Sequence, residues 1–450
     1  MTDLAHDLAK HAATFPTDHV DAAARDHLAR DLVDGLAAIL GGTRAPGVAE
    51  LAQLLSAQTR PGPAQRFASS ERYPAIIAAQ LNATAGHALD YDDTLDEGGG
   101  MHAGALVHSA ALAVADELGG VSGQDYVAAT AVGLDIAVRL ALAPTRDFGW
   151  HRTSAFGVFG VVGAVGRLYG LNQEQLVNAF GIAYSQASGN RQCIADGALS
   201  KRLQAGFAAR DGIIAVQLAT LGVTGAARVF EGTDGFFQLY QRGEWVRERV
   251  TERLGEQLLS QRISLKPYPC GRNLHGLLDA TARARPAHAG REIERIDVFI
   301  DAKSFARAAL TWPEHVVAAQ FSVPFVVALS TVTGRTSLAD FAQPEQVPDA
   351  VKAQFTRVHV QPHDGALAAD ADRIVFTYRG GARHEERTAG VRLGHPDNPV
   401  SREQTGEKLR DCIAFSGSLW PAERIETVLS TALGIGDLPS TNALTALLRA

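Results

Sequence analysis

Apolar residues recur at intervals of three and four through most of the first 260 positions, the period of helices with one buried face. Leu28, Leu32, Leu36 and Ile39 form one such face, which runs into Gly41-Gly42, a helix stop. Ile76, Ile77 and Leu81 open a second helix after Pro74, and a third apolar run, Ala103 to Leu118, ends at Gly119-Gly120. Ser122 with Asp125, and Asn172 with Gln175, each place a capping oxygen three residues before a side chain that can cap in return, so two more helices are predicted to start there. The stretch AFGVFGVVGAVGRLYG spaces Gly157, Gly160, Gly163 and Gly166 by three. No strand pattern precedes it and the GxGxxG spacing of a dinucleotide loop is missing, so it predicts a helix with a small-residue face against a close neighbour.

Beyond residue 265 the period shortens. RIDVFI (295–300), RVHVQ (357–361) and RIVFTYRGGARHEERT (373–388) have strand character, the last as a hairpin about Gly380-Gly381. The helical pattern EHVVAAQFSVPFVVALS lies between them. At SREQTGEKLRDCIAF, Ser401 and Gln404 take capping positions and helix resumes. The expected fold is mainly α with a smaller α+β domain. Residues 1–264 form the first part of a helical domain, 265–395 the α+β domain, and 396–450 helices that return to the first.

Composition narrows the function. The chain has 450 residues, is 46% hydrophobic and carries a formal charge of −7, with no block of Lys and Arg, which speaks against a nucleic-acid partner. Cys193, Cys270 and Cys412 lie far apart without a CxxC pair, so neither a disulfide framework nor a cysteine-held metal is expected. The first residues lack a signal-peptide pattern, and no stretch of about 18 apolar residues escapes interruption. A soluble, cytoplasmic protein without a membrane partner is the expectation.

Four segments carry chemistry. Residues 87–109, HALDYDDTLDEGGGMHAGALVHS, hold five acids (Asp90, Asp92, Asp93, Asp96, Glu97) and three histidines (His87, His102, His108) between two helical patterns. A loop held between rigid helices is a common place for a site, although capping aspartates in a solvated loop would read the same way. Asp92, Asp93 and Asp96 also spell DDxxD, the magnesium–diphosphate motif of isoprenoid synthases, but no second metal motif follows at suitable spacing. GWHRTSAFG (149–157) sets His151 beside Trp150; DGALSKRLQAGFAARDG (196–212) sets Lys201 and Arg202 where a helix begins, a place that favours an anion. SLKPYPCGRNLHG (264–276) gathers Lys266, Arg272 and His275 at the junction between the domains.

At these segments the chain resembles the MmgE/PrpD family, which includes 2-methylcitrate dehydratase, cis-aconitate decarboxylase and iminodisuccinate epimerase. The resemblance is carried by HALDYDDT followed by MHAG, by ASGN and DGALSKRLQAGFAARDG, and by GVTGAARVFEGTDGFF, KPYPCGR and AAQFSVPF, in that order. It implies a large helical domain built from both termini, an α+β lid domain, a homodimer and no metal or organic cofactor. It maps the family's pocket onto Asp90, Thr94, His102, His151, Lys201 and Lys266, with Arg272 and His275 as a basic tail. Ala103 stands where members commonly have Pro, and Lys201-Arg202-Leu203-Gln204 where they have KPLH. The implied activity is proton transfer next to a carboxylate of a small polycarboxylate, first as a 2-methylcitrate-dehydratase-like hydro-lyase, with epimerisation or decarboxylation as alternatives and a non-catalytic scaffold as a further one. Such chemistry needs an acid, a base and positive charge where negative charge develops. His102 is expected to move the proton with His151 or Lys201 as partner. Asp90 would tune the site, while Thr94, Lys266, Arg272 and His275 would bind substrate.

Overall fold

The computed structural model describes residues 3–306, 308–363, 372–388 and 390–450. They fall into two compact units, one of residues 1–265 and 401–450, the other of 266–400.

The first unit is helical. Its central members are Ala22–Gly42, Ala75–Gly86, Gly104–Glu117, Gly123–Leu142, Arg152–Leu168 and Ser200–Thr220. Their starts follow from side-chain chemistry. Ser122 accepts from the Asp125 N–H, and Asn172 and Gln175 form the reciprocal box at the head of Gln173–Tyr184. Ser401 and Gln404 do the same for Arg402–Phe415, which packs on Ala22–Gly42. A ribbon of two short antiparallel strands, β1 (Ala64–Gln65) and β2 (Arg72–Tyr73), interrupts the helices.

The glycine-spaced helix is a packing face. A Cβ at Gly160 would lie 2.7 Å from the Gly133 carbonyl oxygen and 2.8 Å from Ala137 Cβ; one at Gly163 would lie 2.6 Å from Ile136 Cδ1. Arg152–Leu168 therefore lies backbone against backbone on Gly123–Leu142, and the absent side chains are what allow the approach. This pair is buried almost throughout, which makes it a rigid base for the residues at the helix starts.

The second unit holds a four-stranded sheet of β3 (Ile293–Asp301), β4 (Val358–His363), β5 (Arg373–Tyr378) and β6 (Arg383–Arg387), in the order β4-β3-β5-β6. β3 and β4 are parallel, so the chain between them crosses over through helices such as Val323–Thr333. β5 and β6 form the expected hairpin, with Gly380 and Gly381 at φ +90° and +84° in its turn. Ile296, Val298 and Ile300 alternate into a core shared with Ile374, Phe376, Phe325 and Leu277. The edge strand RHEER carries charge along its length, which discourages pairing with another chain.

Among the described residues, no helix is long and apolar enough to cross a membrane.

Candidate active site

The first unit gathers its chemistry around the turn that leaves Ala75–Gly86. His87 caps that helix, and Asp90 follows at φ +53°, a left-handed conformation that a non-glycine residue adopts at a cost. Two lysines help to hold the turn. Lys408, buried on Arg402–Phe415, bonds the Tyr91 carbonyl oxygen and Asp34, and its ammonium sits 4.1 Å over the Tyr91 ring. Lys201 Nζ donates to Asp90 Oδ1 at 2.7 Å. Both members of this second pair are partly exposed, at 21% and 10%, so the charges remain reachable from solvent.

Past the turn, Thr94 and Ser264 exchange backbone hydrogen bonds of 2.8 and 2.7 Å. Leu95 N–H donates to Met101 O, which pinches off the glycine-rich loop and delivers His102. Asp93 receives the backbone N–H groups of Ala103 and Gly104, both at 3.0 Å, and so caps Gly104–Glu117 from outside. The main-chain oxygen of Asp93 lies 2.5 Å from His102 Nδ1. A carbonyl only accepts, so Nδ1 carries the hydrogen and Nε2 is the His102 nitrogen whose proton can come and go.

His87 occupies the centre of the cluster. Its Nδ1 lies 2.7 Å from Asp92 Oδ2, and its Nε2 lies 3.3 Å from His151 Nε2. Its ring is 5.0 Å from the His102 ring and 5.2 Å from that of His151. His151 heads Arg152–Leu168 and reaches Gln204 Oε1 through Nδ1 at 3.1 Å. Gln204 lies on Ser200–Thr220, three residues after Lys201, so one helix supplies both groups. Burial, then His87, then Lys201 push His151 well below the usual histidine range, which keeps it neutral near pH 7.

Beneath these histidines lie the buried carboxylates Asp31, Asp34, Asp92 and Asp93. Asp31 bonds His108 Nε2 at 3.0 Å, and Tyr126 bonds His108 Nδ1 at 2.7 Å. Burial pushes Asp34 up to about 7, against the pull of Lys408. Burial and the neighbouring Asp31 and Asp92 push Asp93 well above the ordinary carboxylate range. Four carboxylates around so few cations cannot all ionise at once.

His87, Asp92 and His102 each offer a donor atom within 4.8 Å of the others, so they are the group among the described residues that could hold a cation. The hydrogen bonds of His87 to Asp92 and of His102 to Asp93 already engage those side chains, and a metal would have to displace them. The DDxxD letters are likewise divided: Asp92 serves His87, Asp93 caps a helix, and Asp96 accepts from Ser264 Oγ at 3.0 Å. They do not form one metal-facing row.

Asp90, Thr94, His102, His151 and Lys201 thus belong to the first unit. Lys266, Arg272 and His275 belong to the second. There His275 is wholly buried, with Nδ1 3.1 Å from Arg272 Nη1 and Nε2 3.3 Å from the Cys270 carbonyl oxygen. Arg272 also donates to Leu393 O at 2.7 Å. Burial, then Arg272 and Lys266, hold His275 well below the histidine range, so it is a neutral support for the Arg272 guanidinium. The sequence assigns no role to two residues at the centre of the geometry: Gln204 carries no local signal, and His87 is only one of three histidines in the 87–109 segment. Only the fold, by returning Asn190 against Gln204 and His151 against His87, shows them.

Comparison with known proteins agrees with this architecture. The model of the MmgE/PrpD N-terminal domain matches residues 6–248, and that of the MmgE/PrpD C-terminal domain matches residues 268–431. The chain is 27% identical to the cis-aconitate decarboxylase-like protein oryM of Aspergillus oryzae, over 93% of this chain and 91% of that protein. It is 25% identical to cis-aconitate decarboxylase of Aspergillus terreus, over 97% and 94%. It is also 26% identical to the Homo sapiens cis-aconitate decarboxylase, over 84% and 80%. With family models covering most of its length from near one end to near the other, this chain belongs to the MmgE/PrpD family.

Proposed function

We propose that the protein is an enzyme acting on a small polycarboxylate, and that it moves a proton at a carbon next to a carboxylate. The observation that carries this reading is the tethering of His102. With Nδ1 committed to the Asp93 carbonyl oxygen, its Nε2 is a fixed proton-transfer atom close to the His87–His151 pair. Lys201, paired with Asp90, supplies an ammonium that can turn to a substrate carboxylate and stabilise the charge that develops in the reaction. Asp90 sets the position of that ammonium, and Thr94 is the proposed hydrogen-bond donor to substrate. Lys266 and Arg272, the latter supported by His275, are the proposed further carboxylate ligands.

Decarboxylation is the first reading, because the relatives named above carry it in their names. In that reaction the C–C bond to the departing carboxylate breaks and its electron pair passes into the conjugated system of the remaining acid. A proton from His102 Nε2 then completes the product. Water loss from a hydroxy-polycarboxylate, the activity that the sequence motifs brought forward first, would use the same histidine as base. Inversion at an imino-dicarboxylate would return the proton to the other face. A diphosphate-binding synthase loses its support with the division of the three aspartates, and a bare scaffold does not account for the tethered histidine beside a charge pair.

The test is His102→Ala. Loss of a positioned acid–base group costs roughly 100- to 10,000-fold in kcat. The variant is expected to bind a polycarboxylate by calorimetry within a few-fold of the parent while turning over at that reduced rate. Full turnover with binding retained would remove His102 from the reaction.

A further inference from the structure

The Asp92–His87–His151–Gln204 series allows its protons to be counted. Gln204 is the fixed point, because the main chain of Asn190 orients its amide. The Asn190 N–H donates to Gln204 Oε1 at 3.0 Å, and Gln204 Nε2 donates to the Asn190 carbonyl oxygen at 3.2 Å. A backbone N–H cannot accept and a carbonyl cannot donate, so the amide cannot be turned over. Oε1 is therefore an acceptor, and His151 Nδ1 must bring the hydrogen to it. At the other end Asp92 Oδ2 and His87 Nδ1 share a second hydrogen at 2.7 Å. Between them, the two Nε2 atoms 3.3 Å apart need a third. Two neutral imidazoles and one carboxylate bring two.

We propose that Gln204 and Asp92 fix the tautomers of His151 and His87, so that the series stores one proton more than two neutral imidazoles hold, on the Asp92–His87 pair. His151 is then the neutral Nδ1–H tautomer whose Nε2 accepts from His87. Burial and the charges of His87 and Lys201, which drive His151 far below its usual range, keep the extra proton off that ring. Among the described residues, the charged or titratable groups that face His87 include Asp92, His102 and His151, with Lys201 acting from beyond His151. The stored proton and the Asp92 charge cancel, so the buried pair carries no net charge. Asp92 Oδ1, which has no hydrogen-bond partner among the described residues, lies 3.7 Å from His102 Nδ1. What lies beneath His102 is thus a neutralised pair and not a bare carboxylate, and its proton inventory sets how readily His102 gains or loses its own.

His87 and Gln204 are positioning residues here. Their effect on turnover rests on the proposed acid–base reading of His102; the proton count does not, and is measured on the protein without substrate. The protein is labelled with ¹⁵N-histidine and its ring nitrogens are observed at pH 7, with His87→Gln and His151→Gln used for assignment. Expected are a His87 ring protonated at both nitrogens and a His151 ring protonated at Nδ1 alone. Gln204→Leu is expected to release His151 into a mixture of tautomers, and Gln204→Glu, which keeps the acceptor, to restore the Nδ1–H form. A His87 ring with a bare Nε2 at pH 7, a His151 ring protonated at Nε2 alone, or an unchanged His151 spectrum in Gln204→Leu would overturn the proposal. The unsubstituted protein decides the first two outcomes even where a variant does not fold. A correct proton count in a protein that acts on no polycarboxylate would instead refute the proposed function and leave this assignment standing.

Discussion

Lys201 and Asp90 show how much of the site depends on single side chains. Their 2.7 Å contact joins positions 111 residues apart, and it holds an ammonium beside a backbone turned to φ +53°. A charge-assisted hydrogen bond contributes about 1.5–3 kcal/mol. Lys201→Met is therefore expected to lower kcat/KM by roughly 10- to 150-fold at that energy, mainly through KM if the ammonium binds the ground state, mainly through kcat if it meets the developing charge. Steady-state kinetics over a substrate series separates the two, and an unchanged kcat/KM would remove Lys201 from the site. The sequence makes Asp90, His102 and Lys201 stand out because ionisable residues crowd into short segments. Their pairing is not legible there, since neither the positive φ of Asp90 nor the return of Ser200–Thr220 to this turn leaves a periodic trace. His87 and Gln204 are harder still. One is a histidine of the 87–109 segment with nothing to set it apart from His108, and the other looks like a solvated residue on an alanine-rich helix, until Asn190 and His151 are seen against them.

At the scale of an element, the helix Arg152–Leu168 explains why its N-terminal residue can be placed accurately. Its glycines let it lie on Gly123–Leu142 at backbone distance, and the two bury nearly all their residues. Gly160→Ala pits two effects against each other. Alanine favours a helix over glycine by about 1 kcal/mol. The new methyl would meet a carbonyl oxygen and Ala137 Cβ, neither of which can swing away, and overpacking costs about 1–3 kcal/mol. Net destabilisation in urea is the expected outcome. Gly163→Ala meets only the end of Ile136, a side chain that can change rotamer, and is expected to be closer to neutral. The reverse order would contradict this view of the helix pair. Much of this level was readable beforehand: the capping pairs at Ser122, Asn172 and Ser401 mark starts that the helices keep, and the Gly380-Gly381 turn marks the hairpin. The cap on Gly104–Glu117 was not, because Asp93 supplies it from ten residues away, outside any local capping pattern.

Over the whole molecule, the buried carboxylates couple the chemistry to stability. Asp34 titrates near 7 in the fold against an ordinary value of 3.8, so the folded chain holds a proton there that the unfolded chain has released. That contribution is fully present below about pH 4 and is lost as pH rises through 7. Asp34→Asn removes the dependence, so the stability of the variant minus that of the parent is expected to rise between pH 5 and pH 8 in urea melts. A difference that is flat or falls with pH would show that Asp34 stays ionised. Turnover is also expected to survive EDTA, because the hydrogen bonds among His87, Asp92, His102 and Asp93 hold the cluster without a metal. Loss of turnover with recovery on adding magnesium would reopen the DDxxD reading.

The most direct test of the central claim is a ¹H NMR assay of the protein in D₂O with a panel of polycarboxylates: cis-aconitate, 2-methylcitrate, citrate and iminodisuccinate. Proton transfer next to a carboxylate predicts, in at least one of them, deuterium at the carbon α to, or conjugated with, a carboxylate where CO₂ loss or inversion occurs, or loss of the α-hydrogen together with water where dehydration occurs. The parent would carry out that conversion and His102→Ala would slow it by two orders of magnitude or more. Neither deuterium uptake nor water loss in any member of the panel, or equal rates for the parent and the His102 variant, would contradict the account.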